Sequence, residues 1–170
     1  MVTEIDYKAI QDRIVAILKT DARLWDNKGA ESGLIQVFYS GTPQNERHAK
    51  YACVFFQSDL DDATGSTVNN SISSSKHKML FFLDVVANRK QDRQLIKDND
   101  VLIYVKTIKE DLKSNYKLRD PADLNNSSTE LVQSCHPHFT FMYRGRLPIP
   151  HSGVNGVLAR TSIMMSASTS

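Results

Sequence analysis

Apolar residues recur at helical spacing in two stretches of the chain. Ile10, Ile14, Ile17 and Leu18 form one stripe, and Lys8, Gln11, Asp12 and Lys19 fall mostly away from it. That pattern predicts an amphipathic helix over about residues 3–20, docked by one face. Thr3 followed by Asp6 fits a capping-box start. Val101, Val105, Ile108 and Leu112 repeat the spacing, which places a second helix within residues 92–115. Asp98 or Asp100 suits its N-cap, and Lys106 and Glu110 are spaced for a modest surface pair.

Other apolar runs have strand character. Leu34 to Ser40 closes on Gly41-Thr42-Pro43, a turn signal, and Tyr51 to Gln57 is aromatic and β-branched. Between the first helix and these strands, residues 22–33 read as a connector with Trp25 as its anchor. Lys78 to Ala87 is the strongest strand. Met79, Phe81, Leu83 and Val85 point one way; Leu80, Phe82 and Val86 point the other. Both faces are apolar, so both are expected to be covered. Asp84 interrupts them and must find a partner or reach an edge. Glu130 to Arg144 reads as a strand or two bent segments, with Pro137 marking a break or an edge position. Gly145 to Gly156, with Pro148 and Pro150, reads as a hairpin-like connection to a last strand, Val157 to Ala167.

Two polar connections stand out. Residues 58–75 carry Asp59, Asp61, Asp62 and Gly65, and a loop of that length is expected to be functional or mobile. Residues 116–128 form the other, and the tail from Ser166 to Ser170 is expected to fray. Helix, strand, strand, long loop, strand, helix, strand, strand is the order of an α+β domain. It predicts two helices packed on a mostly antiparallel sheet, as a single domain over residues 1–170.

Bulk properties narrow the function classes. A chain of 170 residues suffices for one domain with a sizeable core. Lys and Arg number 21 against 19 Asp and Glu, a net +2, which gives no global reason to expect nucleic-acid binding. The longest apolar stretch, Met79 to Ala87, is far short of the roughly 20 residues a membrane span needs. Met1-Val2-Thr3-Glu4 does not open a secretory signal, so the Asn-x-Ser sites at Asn69, Asn125 and Asn126 carry little weight.

Candidate chemistry is sparse. Cys135-His136-Pro137-His138 is the cluster that most resembles metal ligands, because His136 and His138 share one face of a strand. Further ligands would come from His48, His77, His151 or Cys53, all distant in sequence. A zinc- or cysteine-dependent enzyme built on Cys135, His136 and His138 is the rival reading from a different class. The cysteines, Cys53 and Cys135, are expected to be buried free thiols. Asp59, Asp61 and Asp62 lack the offsets of a calcium loop and read as a solvated acidic tip. Basic clusters at Arg89, Lys90 and Arg93, and at Lys113, Lys117 and Arg119, read as solvated helix ends. No cofactor, metal or catalytic residue is expected.

The layout resembles a family. An amphipathic opening helix starts in Tyr7-Lys8-Ala9-Ile10-Gln11; a strand runs into Gly41-Thr42-Pro43; the aromatic strand Tyr51 to Phe56 follows. Then come the polar loop, the strand Met79 to Val86, the helix ending near Leu112, and two late strands around a Gly/Pro-rich turn. In element order this is similar to the tail terminator (tail completion) proteins of long-tailed phages and related archaeal viruses. The resemblance implies a structural virion protein of the tail or neck, assembled in the host cytoplasm. Six copies would form a ring that caps the tail tube, ends its polymerisation and meets the head-side connector. DNA would pass through the lumen without sequence-specific binding. By position, the interface candidates are Asp59, Asp61, Asp62 and Gly65 on the loop, and Arg144, Arg146 and His151 on the late turn. A head-closure or stopper protein of the same neck is the close alternative.

Overall fold

The computed structural model describes residues 4–28, 34–43, 48–62, 75–88, 98–151 and 153–169. The first helix, α1, spans Tyr7–Leu18. Thr3 lies outside the described residues; the observed cap is Asp6, whose carboxylate accepts from the Ala9 N–H at 2.9 Å. The expected stripe is buried, with Ile14 and Leu18 fully inside.

Five strands follow, with one helix among them: β1 (Val37–Ser40), β2 (Lys50–Asp62), β3 (Ser75–Asn88), α2 (Asp98–Ser114), β4 (Ser134–Arg146) and β5 (Asn155–Thr169). They form one open sheet in the order β1-β2-β3-β5-β4. β1 runs parallel to β2, and the remaining pairs are antiparallel. The α+β architecture read from the sequence is therefore observed. β4 is an edge strand, which accommodates Pro137, and an irregularity between Phe139 and Phe141 shifts its register. Gly156 is required where β5 passes β3: a Cβ there would sit 2.1 Å from the Ala87 carbonyl oxygen.

The sheet's two faces differ. Ala52, Val54, Met79, Phe81, Leu83, Val85, Ala159 and Ile163 meet the stripes of α1 and α2 in the main core. Burial of each large side chain there contributes about 1.5–3 kcal/mol. On the opposite face, among the described residues, Leu147 and Val154 of the β4–β5 turn pack on Tyr51, Val86 and Leu158 at one end. The expectation that both faces of β3 are covered holds at Asp84 and Val86, which are fully buried, and only in part at Leu80 and Phe82; both described helices dock on the other side.

Three smaller readings change. Residues 58–62 continue β2, bonded to β3 as far as Asp62, so the polar segment begins as strand; residues 63–74 lie outside the described part. Residues 166–169, expected to fray, pair with Ser75 to Lys78. The connector's buried anchor is Leu24, fully inside, while Trp25 is only partly covered. Among the described residues no helix is long and apolar enough to cross a membrane.

Candidate functional site

Asp84 marks the site. It lies mid-strand in β3 on the face away from the helices, with Cys53 and Arg160 as its register partners on either side. The side chain is fully buried, so its charge requires partners. Arg160 supplies a two-pronged pair: Nε donates to Oδ1 and Nη2 to Oδ2, each at 2.7 Å. His151, from the β4–β5 turn, approaches Oδ2 with Nε2 at 2.8 Å. A carboxylate only accepts, so Nε2 carries the proton, and Nδ1 accepts from the Tyr51 hydroxyl at 2.9 Å. The network ties β2, β3, β5 and the turn together.

The Arg160 guanidinium lies against three rings on the open face, 4.6 Å from Phe82, 5.4 Å from Phe141 and 5.5 Å from Phe55. Asp84 raises the Arg160 pKa further through its hydrogen bond. The cation is thus charge-balanced beneath and π-stacked above.

Cys53 completes the group, with Sγ 3.8 Å from His151 Nε2. This contact does not make a nucleophile and base. Burial, and then the Asp84 charge, push the thiol pKa well up, and Nε2 spends its proton on Asp84. Cys53, Asp84 and His151 offer ligand atoms within 4.8 Å of one another, which is the spacing of a metal site. Asp84 already neutralises a guanidinium, and the thiol would have to ionise in a buried site. The arrangement stabilises a buried carboxylate and pins a turn.

The residues singled out from sequence scatter. Asp59 accepts from the Tyr7 hydroxyl at 2.6 Å and sits 2.7 Å from His77 Nδ1. Asp61 and Asp62 follow it on β2, in register with His77 and Lys76. Gly65 is outside the described residues. Arg144 and Arg146 are exposed near the end of β4, in the rows of Val157 and Asn155, at the other end of the sheet from Asp61. His151 is fully buried, which removes it as a direct interface residue.

Cys135, His136 and His138 do not form a cluster. Cys135 faces the core and its pKa is pushed up to about 12 by burial, while His136 and His138 are exposed on the other face. Lys117 and Arg119 bind Glu130 at 3.3 and 2.6 Å, which occupies that basic cluster with an internal ion pair. Arg89, Lys90 and Arg93 are outside the described residues. Tyr51 and Arg160 were missed. Asp84 in an apolar strand signalled that partners existed, but those partners lie 67 and 76 residues away.

No protein-family model matches the chain, and no curated protein matches it.

Proposed function

We propose that this protein is a structural subunit that works by self-association, forming the tail-capping ring of the tail terminator proteins it resembles. In that role it would end tube polymerisation and present a surface to the head-side connector. The observation that carries the reading is the open sheet face. Phe141, Tyr143 and Met164 are 37%, 44% and 56% exposed there, beside the partly covered Phe55, Leu80 and Phe82. A contiguous apolar patch on an otherwise well-packed domain marks a partner surface. The buried polar group supports the same reading, because its acid, imidazole and guanidinium are consumed by one another. Repetition around an axis turns modest contacts into a stable joint.

The test is the mass of the purified full chain by mass photometry, with negative-stain imaging. A closed ring, six-fold by the resemblance, is the expected result. A chain that stays monomeric by analytical ultracentrifugation at about 50 μM, where any contact with a Kd of about 1 μM or tighter would be filled, ends the reading.

A further inference from the structure

Ile149 is 83% exposed, the most exposed of the large apolar residues described. It sits at the tip of the β4–β5 turn between Pro148 and Pro150, whose rings fix the backbone on both sides. The turn beneath it is held from several directions. His151 N–H donates to the Pro148 carbonyl at 2.9 Å, and Leu147 N–H to the Val154 carbonyl at 2.8 Å. Leu147 and Val154 are buried, and His151 is anchored on Asp84 and Tyr51. The molecule therefore holds an apolar knob out in solvent on a pinned support, so little ordering cost remains for binding. Arg144 and Arg146, both exposed, stand at its base, Arg144 already holding an interaction within the chain.

A cleft of about 640 Å³ opens at the start of α1, lined among the described residues by Glu4, Ile5, Asp6, Tyr7, Lys8 and Gln11. Ile5 and Tyr7 supply apolar walls; Glu4 and Asp6 are exposed acids. Lys8 is already paired with Asp12, so the cleft's balance is acidic. Tyr7 packs on Phe56 and bonds Asp59, which places the cleft at the far end of β2. The row of Asp59 and the row of Lys50, which includes Arg144, are nine residues apart along β2, about 30 Å.

We infer that the Ile149 turn of one copy docks into the α1 cleft of a second copy, apolar tip on Ile5 and Tyr7, arginines toward Glu4 and Asp6. This rests on the self-association reading and adds to the open sheet face a second contact that the ring also needs. Knob and cleft are different surfaces on opposite ends and faces of the sheet, so a pair of copies keeps one knob and one cleft unused. Such a head-to-tail contact propagates and closes into a ring where the rotation allows. The charge match selects this occupant, since the groove of Leu102, Val105 and Phe139 is rimmed by Lys106, Lys109 and Lys113 against Glu110 alone, and its net positive charge would repel the same arginines.

Two variants of the full chain test it. Ile149→Asp with Arg146→Glu spoils the knob and keeps the cleft. Glu4→Arg with Asp6→Ser spoils the cleft, keeps the knob and leaves a capping oxygen for α1. Each variant alone is expected to run as a monomer with wild-type circular dichroism. Mixed in equal amounts they make one good contact only, so the mass doubles and stops. Rings from either variant alone, with the wild type also forming rings, overturn the contact and leave the ring reading standing, with the open sheet face as the seam. A wild-type monomer at all concentrations removes both.

Discussion

The two faces of the sheet are built from alternate residues of the same strands, yet they solve different problems. On the helix-covered face, Phe81, Leu83, Ile163 and their neighbours are buried by α1 and α2, and the stabilisation is mostly non-directional. On the open face, the same strands hold Asp84, Arg160 and Cys53 together with rings that the described residues cover only in part. There the stabilisation is directional and depends on complete pairing. One face is sealed by the helices, and the other is held by paired polar groups.

Polar satisfaction is reversed between them. Asp84 on the open face has every partner it needs. Asp111, on α2, has a buried Oδ2 without a partner and lies near Asp21, which Arg23 claims at 2.6 Å. Burial first, and the Asp21 charge second, push the Asp111 pKa up to about 6. A helix-side acid is left in conflict, while the apparently stranded acid of β3 is secure.

Four substitutions sharpen or break this contrast. Phe81→Ala on the covered face should cost about 4 kcal/mol by urea unfolding, from lost burial plus a cavity. A cost under about 1 kcal/mol would mean the helices do not seal that face. Arg160→Met should cost about 3 kcal/mol, because it strands Asp84 without its counter-ion. Wild-type stability in that variant would show that the network does not hold the open side together.

Asp111→Asn should stabilise at pH 7 by on the order of 2 kcal/mol. The sign follows from the raised pKa. The folded state holds the Asp111 proton more tightly than the unfolded chain, so this contribution is present below the usual carboxylate pKa. It is lost as pH rises through about 6. The gain on substitution should therefore vanish near pH 4, and a gain equal at pH 4 and pH 7 would refute the assignment. Phe141→Ala, on the open face, should change unfolding free energy least, by about 0.5 kcal/mol, typical of a surface change. Its expected effect is on assembly, seen as a lower oligomer fraction at fixed concentration. Unchanged assembly would remove this ring from the seam.

Periodicity determined much of the fold by itself. The stripe of Ile10, Ile14 and Leu18, the two-sided pattern of Met79 to Val86 and the punctuation at Gly41 are local signals, and local sterics answer them. Even Asp84 announced a need for partners, since a carboxylate cannot enter an apolar strand alone. Which groups met that need was decided only in three dimensions. Arg160 and His151 come within reach because β5 inserts between β3 and β4 and the turn folds back over the sheet. Strand order and the side on which helices dock depend on pairing between distant segments, and a one-dimensional pattern carries no record of distance. For the same reason the sequence made both faces of β3 apolar but left it to the tertiary structure to bury Val86 fully and Leu80 and Phe82 only in part.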